Sequence, residues 1–175
     1  MKLRLNFNDV ENYFFFRTDL PQYCVSENGV HLEKDVFDLT DYSWDDLVTF
    51  YIGCSFSFEE ALVKSKIPVK NIEKGQNVSM YKTNIQCHTV GPFSCSMTVS
   101  MRPIPKEFVE KAVQITAQFE SVHGAPIHIG DPQLIGIQDL SSPDLGEPSE
   151  LGKNDIPAFW ACGVTSAFAV KSSSE

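Results

Sequence analysis

Ser94-Cys95-Ser96-Met97-Thr98-Val99-Ser100-Met101 alternates small polar with apolar side chains, and Arg102-Pro103-Ile104-Pro105 follows directly. Period-two alternation is the pattern of a strand with two unlike faces. The two prolines are expected to end that strand, because proline brings no N–H to a ladder. Pro105 is also well placed for the first turn of a helix. Residues 106–119 then carry Phe108, Val109, Ala112, Val113, Ile115, Thr116 and Phe119 at helical spacing. A strand running into an amphipathic helix decides the class, which is α/β in the broad sense (mixed α+β).

Upstream, Tyr23-Cys24-Val25 and Val30-His31-Leu32 flank Ser26-Glu27-Asn28-Gly29, and Asn-Gly between apolar runs predicts a hairpin. Tyr13-Phe14-Phe15-Phe16 ends an N-terminal segment, residues 1–16, that reads as a strand or buried edge. Ser43 with Asp46 suggests a helix running to Gly53, and the Ser57-x-x-Glu60 capping box suggests a second, stopping near Ile67-Pro68. Residues 69–84 are polar and read as a loop. Downstream, Ile127-His128-Ile129 is a short strand, residues 141–155 a surface loop, and 156–164 a buried strand. The tail, residues 169–175, is expected to fray.

The chain has 175 residues, of which 42% are apolar and 21% charged, enough to bury the core of one domain. A net charge of −9 without basic clusters argues against a nucleic-acid surface. No apolar run is long enough to span a bilayer, so no membrane partner is expected. Residues 1–11 lack the apolar core of a signal peptide. Five cysteines, an odd number without any CxxC spacing, fit reduced thiols in an intracellular compartment. The spacings of His88, His123 and His128 with Cys87 and Asp131 fit no ordinary zinc pattern. Phosphate-cradling glycine loops are absent. Neither a metal nor a cofactor is therefore expected.

Candidate chemistry concentrates in His123-Gly124-Ala125-Pro126-Ile127-His128-Ile129-Gly130-Asp131-Pro132 and at Arg102. If Ile127 and Ile129 face the core, His128 faces away from it, either free to act as a general acid or base or with its nitrogens satisfied by backbone. Asp131, three residues on, can orient that imidazole, though Asp between Gly and Pro also suits a plain turn. His123 precedes a glycine and reads as a helix C-terminal cap. Arg102 can clamp a substrate carboxylate bidentately, or pair structurally with an acid of the 141–155 loop. Cys54, beside a helix start, is a candidate reactive thiol, with buried inert cysteine as the alternative. Cys162 is weighed the same way. Tyr81 and Asn84 offer neutral donors to a carboxylate or oxyanion. Glu60 is absorbed by its capping box. The catalytic candidates are thus His128, Asp131 and Cys54, and the substrate-binding candidates Arg102, Asn84, Tyr81 and Cys162. The expected partner is a small amino or carboxylic acid.

Five runs also carry a family resemblance: Gly53-Cys54-Ser55-Phe56 with Glu60-Ala61-Leu62, Tyr81-Lys82-Thr83-Asn84, Ser100 to Pro105, Gly124 to Pro132, and Phe159-Trp160-Ala161-Cys162-Gly163-Val164-Thr165. In this order they resemble the D-glutamate cyclase family, which comprises a bacterial hydro-lyase group and the first domain of the animal mitochondrial enzyme. The resemblance covers residues 17–168 and implies a two-part α/β domain. It implies closure of D-glutamate to 5-oxo-D-proline with loss of water, hence a lyase of D-amino acid metabolism. Residence would be mitochondrial in a eukaryote and cytoplasmic otherwise. Family domains carry more sequence on both sides of the matched region, so residues 1–16 are atypical and the chain is expected to be shortened at both ends. Such a chain could instead be a non-catalytic module that binds a ligand or forms a homo-oligomer.

Overall fold

The computed structural model describes residues 17–27, 30–45, 48, 50 and 52–173. Residues divide into two compact units, 1–49 and 50–175. In the first, β1 (Tyr23–Glu27) and β2 (Val30–Val36) form an antiparallel hairpin closing at Glu27↔Val30. The expected hairpin is therefore present, and its Asn28-Gly29 turn lies outside the described residues, as does the strand expected within 1–16. Near the hairpin, the Arg17 guanidinium donates to the Leu39 and Tyr42 carbonyls at 3.1 and 2.8 Å and stacks over Trp44.

The second unit is built on a four-stranded antiparallel sheet ordered β3 (Ser79–Gln86), β4 (Ser96–Pro105), β6 (Asp155–Ala161), β5 (His128–Ile129). Four helices accompany it: α1 (Phe56–Lys64), α2 (Lys70–Lys74), α3 (Val109–Thr116) and α4 (Val164–Ser172). This is the mixed α/β architecture the sequence implies. Short 3-10 turns flank α3 at Lys106–Phe108 and Ala117–Val122, so the helix expected over 106–119 is present, with a kink at Phe119 (φ −103°, ψ 42°).

Several expectations are corrected. Strand β4 does not stop at its prolines. Lys106 N donates to Asn154 O and Cys162 N to Thr98 O, so the even-numbered residues of β4 occupy the hydrogen-bonded pairs with β6. Pro103 therefore sits opposite Pro157 in a non-bonded pair, and Pro105 opposite Asp155 in another. Neither needs an N–H toward β6, and β3 ends its pairing at Met101. Residues 69–84 are not a loop but hold α2 and most of β3. The tail is helical to Ser172, whose hydroxyl donates to Ser94 O at 2.6 Å. Of the helix expected over 43–53, residues 43–45, 48, 50, 52 and 53 are described, and none is helical.

Helix α1 starts at Phe56, one residue before the expected capping box, with Ser55 at its N-cap. Ser57 lies inside it, and Glu60 forms an exposed i,i+4 pair with Lys64 at 2.6 Å instead of capping. The neighbouring Glu59 turns inward and is buried.

Directly paired residues share a sheet face and successive residues alternate. Arg102, Ala158 and Ile129 therefore lie on one face, and Met101, Phe159 and His128 on the other. Burial agrees with this parity. Ile104, Ala158 and Trp160 pack against Phe58 and Leu62 of α1 and Ala112 of α3. Tyr81, Val99, Met101 and Phe159 form a separate core with Ile135 and Ile137. We call these the helix face and the loop face.

Candidate functional site

On the helix face, Arg102 is fully buried in the middle of β4. Its Nε and Nη2 donate to Glu59 Oε1 at 2.8 and 2.5 Å, Nη1 donates to Ser100 Oγ at 3.1 Å, and Nη2 to Ser55 Oγ at 3.0 Å. The guanidinium stacks on Phe58 and Trp160, 5.0 and 5.5 Å from their ring centres. The acid it pairs with thus comes from α1, not from the 141–155 loop. Burial pushes the Arg102 pKa down, and the Glu59 charge opposes that shift. Asn71 Nδ2 donates to the same Glu59 oxygen at 3.2 Å, so the carboxylate is well supplied with donors. Ser55 and Ser100 accept from Arg102 through oxygen, which leaves each hydroxyl hydrogen to donate elsewhere.

Two glycines let further groups approach this pair. A Cβ on Gly53 would stand 2.4 Å from Val122 Cγ1, and one on Gly163 would stand 3.0 Å from Gly53 O. The 52–54 segment is thereby wedged between the end of the 117–122 turn and the start of α4. Cys54, His123 and Cys162 each adjoin one of these contacts. The Cys54 and Cys162 sulfurs both act electrostatically on Arg102, and Arg102 acts on His123.

His123 is a C-cap in the left-handed region, φ 104°, as the sequence suggests. Its side chain adds something the sequence reading missed. The ring hydrogen-bonds the Gly53 main chain, while Nε2 is buried without any partner. Burial lowers the His123 pKa, with the Gly53 bond opposing and the Arg102 charge assisting. The imidazole is therefore neutral at pH 7, and a neutral imidazole has one basic nitrogen. Burial instead raises the Cys162 pKa; the Val164 main chain opposes this, Cys54 assists and Arg102 opposes. Cys162 is thus a protonated thiol, and it contacts Met80 Sδ at 3.5 Å. Cys54 is exposed. The cluster holds a neutral base, a thiol acid and two hydroxyl donors around a charge-balanced ion pair.

The remaining candidates stand elsewhere. His128 lies on the loop face, its ring 5.7 Å from that of Phe159, so the sheet separates it from Arg102. Ile127 and Ile129 do not enter the core as expected; each is 38% exposed, because β5 is a two-residue edge strand. His128 Nε2 donates to the Asp131 main-chain oxygen at 2.7 Å. The Asp131 carboxylate turns away and caps Gln133 N at 3.0 Å, with Pro132 opening a short 3-10 turn, Pro132–Ile135. Tyr81 is buried on the loop face and donates to Leu140 O at 2.7 Å. Asn84 is exposed on β3 beside Gly136. Of the seven sequence candidates, then, the fold groups Arg102, Cys54 and Cys162. It adds His123, Glu59, Ser55 and Ser100. A signal for this grouping was present in Gly53-Cys54 and Cys162-Gly163, where each thiol adjoins a glycine.

A family model described as D-glutamate cyclase matches residues 48–175. A protein of Stutzerimonas stutzeri named "Putative hydro-lyase" is 56% identical over 149 residues, 85% of this chain and 56% of its own length. A Thermoanaerobacter sp. protein with the same general name is 54% identical over 160 residues, covering 91% of this chain and 60% of its own. A Bacillus subtilis relative, named "Putative hydro-lyase YcsI", is 52% identical over 149 residues, 85% of this chain and 58% of its own. The chain therefore spans somewhat more than half the length of these relatives. All three are bacterial, which accords with the hydro-lyase side of the resemblance and lends nothing to a mitochondrial location. Among the described residues, no helix is long and apolar enough to cross a membrane.

Proposed function

Because this chain belongs to the D-glutamate cyclase family, we propose that it is a lyase that closes D-glutamate to 5-oxo-D-proline and water. The observation that carries the reading is the unpartnered, buried His123 Nε2 in a cluster with the Cys162 thiol and the Arg102–Glu59 pair. Two titratable groups pushed in opposite directions by their surroundings supply a base and an acid at one pH.

In the proposed reaction His123 Nε2 takes one proton from the substrate ammonium. The freed amine attacks the side-chain carboxyl carbon and a C–N bond forms. Ser55 and Ser100, polarised by Arg102, are suited to donate to the developing oxyanion. The departing oxygen receives one proton from His123 and one from Cys162 and leaves as water, while the C–O bond breaks. Cys162 regains its proton from the ring nitrogen. Two ammonium hydrogens and one carboxylate oxygen thus make the water, and the thiol and imidazole end as they began. In this reading Arg102 polarises the hydroxyls rather than gripping the substrate, since Glu59 already occupies it.

The test is incubation of the protein with D-glutamate while 5-oxoproline is followed, with His123→Asn alongside. Turnover by wild type that His123→Asn reduces by about 100-fold or more supports the assignment. Turnover that His123→Asn leaves unchanged removes His123 from the mechanism. Wild type without turnover on either enantiomer of glutamate would favour the non-catalytic module.

A further inference from the structure

All five cysteines are free thiols, and the β3–β4 hairpin sets two of them side by side. Pairing of β3 with β4 slips between Lys82 and Gln86 and resumes at Gln86↔Ser96. One step further out, Cys87 N donates to Cys95 O at 3.0 Å, and at the tip Val90 and Phe93 exchange two bonds of 3.1 Å. Cys87 and Cys95 are therefore directly opposed, with their side chains on one face of the hairpin. The Cα atoms of such a hydrogen-bonded pair lie about 5.5 Å apart, within the span a disulfide bridges. The side chains already meet, since the two thiols are hydrogen-bonded to one another. Both residues are half-buried, so a small oxidant can reach them. Burial, and then the Cys95 charge and hydrogen bond, push the Cys87 thiol up. The pair thus ionises one sulfur at a time, which provides a thiolate to attack and a thiol held beside it.

We propose that Cys87 and Cys95 are a peroxide-sensitive modification site, which closes to a disulfide and thereby loosens the start of α4. One thiolate attacks an oxygen of hydrogen peroxide. The S–O bond forms, the O–O bond breaks, and the departing hydroxide takes up a proton and leaves as water. The neighbouring sulfur then attacks the sulfenic sulfur, so that the S–S bond forms, the S–O bond breaks and a second water leaves. Two thiols and one hydrogen peroxide become one disulfide and two waters, with two electrons passing from sulfur to the peroxide. The link to α4 runs through Cys95. Its thiol donates to Thr165 O at 3.7 Å, in the first turn of α4 and three residues after Cys162. Disulfide formation removes that hydrogen and turns the sulfur toward Cys87. The Thr165 side chain then remains as the tie to β4, its Oγ1 accepting from Thr98 N at 3.0 Å and donating to Thr98 O at 3.2 Å. The inference concerns thiols outside the Arg102 cluster and stands whether or not the chain turns over D-glutamate.

The experiment treats the full chain with hydrogen peroxide, blocks the remaining thiols and maps cross-linked peptides by mass spectrometry. Wild type is expected to yield Cys87–Cys95, reversed by dithiothreitol. The cross-link should form about tenfold faster in the folded chain than in urea, because the fold holds the sulfurs together. Equal rates in the two states would overturn the built pair, as would no cross-link, or one through Cys24, Cys54 or Cys162 instead. In Cys87→Ser the remaining Cys95 is expected to stop at the sulfenic acid, trapped by dimedone. A wild type that accumulates the same adduct without cross-linking would overturn resolution by the neighbour. Amide hydrogen exchange across residues 164–168 is expected to quicken several-fold on oxidation and to recover on reduction. Unchanged exchange would overturn the link to α4.

Discussion

The two faces of the sheet handle their polar groups in opposite ways. On the loop face each candidate is already satisfied: Tyr81 by Leu140, His128 by the Asp131 carbonyl, and the Asp131 carboxylate by Gln133. On the helix face the ion pair is satisfied, yet its surroundings keep His123 Nε2 and Thr98 Oγ1 buried without partners. Buried polar groups are nearly always bonded, so leaving two unbonded on one face is a costly arrangement that structure alone does not require. The comparison teaches that functional potential here follows unsatisfied chemistry rather than the density of titratable residues in sequence.

The sharpest way to break the comparison is to attack the pair that organises the helix face. Glu59→Gln leaves the Arg102 charge buried and uncompensated, and should destabilise the protein by about 3–5 kcal/mol in urea denaturation. Pairing Glu59→Leu with Arg102→Met should recover most of that loss, since apolar isosteres often replace buried ion pairs at little cost. Recovery will be incomplete, because Asn71 Nδ2 then loses its acceptor. If the double variant is as unstable as the single, the charge is not what the site depends on.

His123→Asn and His128→Asn, measured on 5-oxoproline formation, set one face directly against the other. About a 100-fold loss is expected for the first and less than about 3-fold for the second. The reverse outcome would move the site to the loop face. The same residue carries a pH signature. Burial depresses the folded pKa of His123, so its contribution to stability is complete above the unfolded value of about 6.5 and is lost as pH falls through the lower folded value. His123→Asn should therefore flatten the fall in melting temperature on the acid side of pH 6.5.

Gly53→Ala tests the wedge that gathers the cluster. Its Cβ would meet Val122 Cγ1 at 2.4 Å, and overpacking of this kind costs about 1–3 kcal/mol. Activity should fall further than that loss explains, because the same shift displaces Cys54 and His123. A variant that is destabilised but fully active would separate the wedge from the site.

Legibility in the sequence followed the range of the interactions. The period-two run at 94–101 and the helical spacing of 106–119 are local, and both elements formed where they pointed. The prolines of β4 misled because their effect depends on which edge of the strand has a neighbour, a fact of pairing and not of composition. Ser57 and Glu60 satisfied the capping pattern, yet α1 begins earlier because Ser55 and Glu59 are held by Arg102, 47 and 43 residues away. Likewise Arg102, Cys54 and Cys162 were each readable as candidates residue by residue, whereas their grouping, and the addition of His123 through the Gly53 main chain and the Arg102 charge, comes from the fold. Parity decided the rest: the strand pairing that puts Arg102 opposite Ala158 also puts His128 opposite Phe159, and no spacing within either strand reveals that the two face apart.

The smallest expected effect is the most specific to the loop face. Asp131 accepts from Gln133 N at the start of a short 3-10 turn, while its main-chain oxygen, not its carboxylate, receives the His128 proton. Asp131→Ala therefore removes a cap and leaves the histidine bond in place, which should cost about 1 kcal/mol in thermal denaturation. The imidazole should keep its tautomer, observable in nitrogen chemical shifts, and 5-oxoproline formation should stay within about 2-fold of wild type. A loss of activity larger than the loss of stability would mean that the carboxylate acts on the reaction. The loop face would then have to be counted as part of the site.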